Sequence, residues 1–116
     1  MGPREVLKLL WDIAEACALM AEFTEGKTYA DYVSQKMLRS AVERQLEIAG
    51  EALSQVLRLE PDLADRVTQA RDIVAFRNRL IHANGTIAHD IVWGIVQRDV
   101  PFLRREVDAL LHDREA

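Results

Sequence analysis

An all-α fold is what this sequence predicts, an antiparallel four-helix bundle in up-down order, and three observations carry the prediction. Glycine (5) and proline (3) are scarce among 116 residues and aromatics are only 6%. With Ala, Leu, Glu and Arg plentiful, that composition favours helices over turn-rich sheets. Apolar residues recur at spacings of three and four in several long runs, and no segment alternates convincingly with a period of two. The connections between the runs are short, which suits antiparallel neighbours. With 49% hydrophobic residues the chain can bury one core, and no linker, repeat or low-complexity tract divides it. Residues 1–116 therefore read as a single domain.

The first helix starts at Pro3, a good first-turn residue, and shows one apolar seam through Val6, Leu10, Ile13, Cys17 and Met20 before Gly26. Thr28 and Asp31 make a short capping-box pattern before Tyr29–Val33, and Ser34 is the expected cap of the long segment that follows. That second long helix runs through Met37, Leu38, Ala41, Val42, Ile48, Ala49, Ala52, Leu53 and Val56 until Pro61 stops it. Residues 62–65 read as a loop or a short helical turn. A third helix is expected from about Thr68 to Asn84, with Asn84-Gly85 ending it in the left-handed manner. Thr86 is the expected cap of the fourth, which Pro101 should kink or restart with Asp99 as cap, finishing near Leu111. Within it, Ile91-Val92-Trp93 and Ile95-Val96 are apolar around most of the circumference, which predicts burial on two sides and hence a subunit interface.

Lys+Arg 15 against Asp+Glu 19 gives a net charge of −4, so the surface as a whole is not built to coat nucleic acid or an anionic membrane. Any phosphate contact must be local. Cys17 is the one cysteine, which removes disulfide frameworks, CxxC pairs and cysteine zinc sites, fits a reducing cytoplasm, and leaves the thiol as core filler. The N-terminal run is broken by Arg4, Glu5, Lys8, Asp12 and Glu15, so neither a membrane span nor a secretory signal is expected. The glycines are isolated, and no Walker loop, GxGxxG, HExxH or GxSxG occurs. His82, His89 and His112 are poorly spaced for a metal, so no metal and no cofactor is expected.

The cluster that stands out is Arg77-Asn78-Arg79-Leu80-Ile81-His82 at the end of the third helix. At about 100° per residue from Ile73, the residues Val74, Phe76, Leu80, Ile81 and Ala83 share an arc of about 180°, and Arg77 falls inside it at about 40°. An arginine there needs a partner or a cleft, because an unpaired buried guanidinium is costly. Asn78 and His82 lie four apart on another face and can reach one ligand together. The plain reading is that Arg77 snorkels or pairs with a carboxylate such as Glu51, while Asn78 and His82 are surface groups at a helix C-terminus. The chemical reading is phosphate work: histidine moves protons to and from a ribose 2′-hydroxyl, and arginine neutralises the charge developing on phosphorus.

At these residues the chain resembles the HEPN superfamily, through its R-x4-H signature at Arg77 and His82, and in particular the HepT-like branch. The supporting pieces run in order along nearly the whole chain: Ala41–Ala52 with its Gly50-Glu51-Ala52, then Phe76–His82, Ile91-Val92-Trp93 and Asp99-Val100-Pro101-Phe102-Leu103. The resemblance implies a helical bundle that dimerises so that two R-x4-H motifs line one cleft. It implies a metal-independent endoribonuclease toxin, neutralised by a minimal nucleotidyltransferase antitoxin. Arg77 would then stabilise the scissile phosphate, His82 serve as general acid or base, Asn78 orient RNA or His82, and Arg79 add to a narrow positive cleft. Family members commonly carry a tyrosine two residues after the histidine, where the antitoxin can attach AMP. Here that position is Asn84, which has no phenolic hydroxyl. The competing reading is a catalytically weak module that binds nucleotide or docks the nucleotidyltransferase.

Overall fold

The computed structural model describes residues 3–82 and 88–115, with side chains described for residues 4–79 and 88–115. The described residues are helical with no strand: α1 (Pro3–Thr24), α2 (Tyr29–Ser34), α3 (Lys36–Leu59), a 3-10 turn (Pro61–Asp65), α4 (Ala70–His82), α5 (His89–Gly94), a π-helical segment (Ile95–Asp99) and α6 (Val100–Glu115). The apolar seam of α1 is buried as its spacing predicts, with Val6, Leu10, Ile13, Cys17 and Met20 all in the core. It packs against α3 on one side and α6 on the other, while α4 packs on α3 and the short α2 rests between α3 and α5. Leu38, Val42, Leu46, Ala49, Leu53 and Val56 supply the α3 side of this core, and Val100, Leu103, Val107 and Leu110 the α6 side.

Local chemistry explains most of the boundaries. Gly26 takes a φ of 71° just past α1, a left-handed conformation that glycine adopts without a side-chain clash. The capping box forms around α2: the Asp31 N–H donates to Thr28 Oγ1 at 3.1 Å and the Thr28 N–H to Asp31 Oδ2 at 2.9 Å. Hydrogen bonding from the Thr28 backbone, and secondarily from its side chain, holds the Asp31 carboxyl below the usual carboxylate range. Pro61 ends α3 and opens the 3-10 turn, with the Glu60 N–H closing on the Val56 carbonyl at 2.8 Å.

Four boundaries differ from expectation. Ser34 does not cap α3; it ends α2, its hydroxyl donates back to the Asp31 carbonyl, and Gln35 precedes α3 with no side-chain cap. The helix expected from Thr68 begins at Ala70: the Gln69 carbonyl accepts from the Ile73 N–H, and Thr68 before it donates its N–H and hydroxyl to the Glu106 carboxylate of α6. Asp99 caps no restart: α5, the π-helical segment and α6 follow one another without a break, and α6 runs past Leu111 to Glu115. Proline at 101 has no N–H to give, and the turn before it is widened so that the Val100 N–H reaches back to the Ile95 carbonyl, a π-type bond. The Asn84-Gly85 end and the Thr86 cap lie outside the described residues. The chain itself covers much of the apolar α5 stretch: Val92 and Val96 are in the core, and Trp93 packs on the rings of Tyr29 and Tyr32. Ile91 remains exposed.

Candidate functional site

The site starts from a missing side chain. Gly50 lies in the middle of α3, where a glycine weakens a helix, and it faces α4. A Cβ built there would stand 2.5 Å from Arg77 Cβ and 2.7 Å from Arg77 Cγ, too close for real atoms. The bare backbone therefore lets the stem of Arg77 lie directly on α3. That approach brings the guanidinium to the next residue, with Arg77 Nη2 2.5 Å from Glu51 Oε2. Arg77 Nη1 donates to Asn78 Oδ1 at 2.8 Å, and Gln55 Nε2 donates to Glu51 Oε1 at 3.0 Å. The result is a continuous polar chain from Gln55 through Glu51 and Arg77 to Asn78.

The Arg77 side chain is only 20% exposed, which matches its place inside the apolar arc, and its buried Nε has no partner among the described residues. A guanidinium gripped at two of its nitrogens keeps its plane fixed, and its remaining donors can meet an anion in a set direction. The pairing with Glu51 expected from the sequence is thus present. Asn78 turns its oxygen to Arg77 rather than acting alone. Arg79 is exposed and sits over the Phe76 ring at 5.7 Å, so the structure does not bring it to Glu51 and Asn78. His82 ends α4, five residues and about 7.5 Å along the axis from Arg77; its side chain, like Asn84, lies outside the described residues.

Arg77 forms one wall of a groove of about 350 Å³ between α1 and α3. Leu9, Ile48 and Ala52 line it with apolar surface, and Asp12, Glu47, Glu51 and Arg44 surround them. A larger groove, about 810 Å³, lies between the end of α1 and the Val96–Arg105 region and holds none of the predicted site residues. Cys17 touches it, but burial pushes that thiol up to about 12, which suits an inert core group. Among the described residues no three His, Cys, Asp or Glu side chains are grouped to hold a metal ion, and no helix is long and apolar enough to cross a membrane.

Two features were missed in the sequence. The first is the role of Gly50, whose only signal was a lone glycine in a strongly helical run. The second is a cluster where α2, α3 and α5 meet. Tyr32 is fully buried against His89, edge to face at 6.0 Å, and against Trp93 at 5.5 Å. Among the described residues neither Tyr32 Oη nor His89 Nδ1, both buried, has a hydrogen-bond partner. Burial holds the nearby Glu43 carboxyl above its usual range despite the opposing charges of His89 and Arg39.

The sequence profile of the family described as Ribonuclease HepT-like matches residues 13–110. The chain belongs to the HepT-like ribonuclease family. A relative from Methanocaldococcus jannaschii, provisionally named an RNase, is 36% identical over 110 residues, 93% of this chain and 98% of its own length. A Thermococcus cleftensis protein, provisionally named ribonuclease HepT, is 34% identical over 105 residues, 87% of this chain and 91% of its own. A third, from Caldanaerobacter subterraneus subsp. tengcongensis and also provisionally named an RNase, is 27% identical over 99 residues, 85% and 88% of the two chains. No solved structure matches. HepT-like membership places the chain among RNA-cleaving enzymes, and both Arg77 and His82 fall within the matched span.

Proposed function

We propose that this chain is a metal-independent endoribonuclease and the toxin of a toxin–antitoxin pair whose other member is a minimal nucleotidyltransferase. The observation that carries the reading is the Arg77 guanidinium, held at the wall of an open groove by Glu51 and Asn78 on the helix that ends at His82. Attack of a ribose 2′-oxygen on the adjacent phosphorus forms the P–O2′ bond and breaks the P–O5′ bond, leaving a 2′,3′-cyclic phosphate and a 5′-hydroxyl. One proton must leave the 2′-hydroxyl and one must reach the departing 5′-oxygen. Neutral His82 accepts the first, and an imidazolium delivers the second; a homodimer that sets two motifs in one cleft divides these tasks between two imidazoles. Arg77 neutralises the negative charge that builds on the phosphoryl oxygens. Asn78 keeps the guanidinium plane in place, and Arg79 adds an outlying contact for the RNA strand. The same reading takes the long helices as one up-down bundle, bent at the π-helical segment before Pro101.

Purified protein should cleave single-stranded RNA in EDTA and leave cyclic phosphate ends. His82→Ala and Arg77→Ala should each lower the rate by at least about 100-fold while keeping the melting transition. Undiminished cleavage by both variants would overturn the proposal. A second reading has its own support: Asn84 offers no hydroxyl for AMP, and Arg77 is already paired with a carboxylate. In that case the chain is a weak enzyme that docks the nucleotidyltransferase, and the two would co-purify with no RNA cleavage in the same assay.

A further inference from the structure

The groove beside Arg77 carries chemistry that phosphate contact leaves unused. Leu9, Ile48 and Ala52 give it apolar surface, and around them three carboxylates, Asp12, Glu47 and Glu51, stand against two arginines, Arg44 and Arg77. Carboxylates repel a phosphate backbone, and here they outnumber Arg44 and Arg77, so the groove is a poor track for the strand itself. Apolar surface beside hydrogen-bond acceptors suits a nucleobase turned out of a single strand, its face against the hydrocarbon and its edge against an acceptor. A volume of about 350 Å³ accommodates one base with part of its sugar, next to the arginine that would meet the neighbouring phosphate.

The three carboxylates are not equally free. Glu51 is held by Arg77 at 2.5 Å and by Gln55 at 3.0 Å, and Asp12 is paired with Lys8 at 3.1 Å. Among the described residues Glu47 pairs with Arg44 alone, at 3.6 Å, and the Arg44 side chain is 68% exposed. An exposed pair at that separation is weak and easily exchanged for a better partner. Glu47 is therefore the acceptor with the most to offer a ligand.

We infer that the groove between α1 and α3 binds the base next to the scissile phosphate and that Glu47 reads its Watson–Crick edge, which makes guanine the preferred base. The inference rests on the ribonuclease reading of Arg77 and His82. Guanine presents its N1–H and its N2 amine side by side, and one carboxylate accepts both. Adenine and cytosine set a single amine beside a ring nitrogen that is itself an acceptor and repels the second carboxylate oxygen. Uracil flanks its one N–H with two carbonyl oxygens. Carboxylate acceptors thus rank guanine first, and a two-bond pairing of this kind is worth about tenfold or more over a base that cannot form it.

The test uses DNA oligonucleotides carrying a single ribonucleotide, so that only one bond can be cleaved, with the base of that residue or of the next one varied among the four. Wild-type protein should show kcat/KM about tenfold higher for guanine than for uracil at one of the two positions. Glu47→Gln, which keeps the shape but exchanges one acceptor for a donor, should bring that ratio down to about threefold or less. Cleavage that depends on Arg77 and His82 but is blind to the base, or keeps its guanine preference in Glu47→Gln, overturns the inference and leaves the ribonuclease reading standing. Should wild type cleave nothing, the ribonuclease reading fails, and binding of 2′-O-methyl RNA octamers decides the groove separately. Tighter binding of the guanine strand that Glu47→Gln abolishes supports the base site, and equal binding of guanine and uracil strands overturns it.

Discussion

The two faces of α3 are built in opposite ways. Toward α1 it presents a closed apolar seam, with Val42, Leu46, Ala49 and Leu53 buried against Leu10, Ile13, Cys17 and Met20. Toward α4 it also presents Gly50 and Glu51, and there, beside the buried Ile73 and Phe76, it receives an arginine. The first seam gets its strength from area removed from water and tolerates little change in volume. The second holds a charge at the edge of the core, where it is fixed by neighbours yet still reaches a groove. Separating the two on one helix lets the stable seam support a charged pair that would be a poor source of stability alone.

Breaking the first seam should have the largest effect. Leu46 and Ile13 are both fully buried, so Leu46→Ala or Ile13→Ala should cost about 2–5 kcal/mol of unfolding free energy, measured by urea titration. The second seam is probed by Gly50→Ala, which should destabilise by about 1–3 kcal/mol and also reduce RNA cleavage. The nearest atom to the added methyl is Arg77 Cβ, not the far end of a flexible side chain. Combining Gly50→Ala with Arg77→Ala removes the Cγ contact but keeps the closer one with Cβ, so the double variant should recover at most a small part of the lost stability. Full recovery would show that the guanidinium, not the closeness of the helices, is what Gly50 accommodates.

This contrast was only half readable in the sequence. The α1 seam, the Thr28–Asp31 box, the end of α3 at Pro61 and the placement of Arg77 within an apolar arc all follow from spacing along one helix, which needs no knowledge of neighbours. Gly50 was visible as a residue but not as a contact, because its purpose exists only once α4 is laid across α3. The late start of α4 likewise goes with a distant contact, Thr68 being held by Glu106 from far along the chain. Pro101 predicted a kink or a restart; the restart is absent, and the widened turn from Ile95 to Asp99 takes up the missing donor over a whole turn of helix. Tyr32 and His89 are distant in sequence and carry no shared pattern, so their stacking could not be anticipated.

The charged seam can be sharpened by Glu51→Gln, which keeps a hydrogen-bonding partner for Arg77 but removes the charge. If Arg77 stabilises the scissile phosphate as proposed, Glu51 acts through it, and kcat should fall by about tenfold with KM little changed. Loss of fold alone would instead lower the melting temperature and the amount of active enzyme. Glu43, one turn before Glu47 on the same helix, gives a pH dependence of opposite origin. Burial raises its folded pKa above the ordinary value of 4.5. The unfolded chain then releases its proton first, so this group's contribution to stability declines as pH rises from about 4.5 through the raised value. Glu43→Gln should remove that part of the slope in urea titrations across the range.

The smallest expected effect lies at the end of α3 farthest from Gly50. Tyr32 is held in the core by its ring, against His89 and Trp93, while its buried hydroxyl has no partner among the described residues. A buried hydroxyl without a partner costs about 1–3 kcal/mol in lost hydration, and it also drives the phenol's pKa upward. Tyr32→Phe keeps the ring and removes the unpaired group, so it should leave stability unchanged or raise it by up to about 1 kcal/mol. Arg77 Nε also lacks a partner among the described residues, but there the other nitrogens are bonded and the group faces the groove. Removing the one should therefore cost the fold nothing, and removing the other should abolish cleavage. A loss of more than about 1 kcal/mol in Tyr32→Phe would mean that the hydroxyl has a partner in solution, with His89 Nδ1, equally unbonded beside it, as the group to examine by its NMR titration.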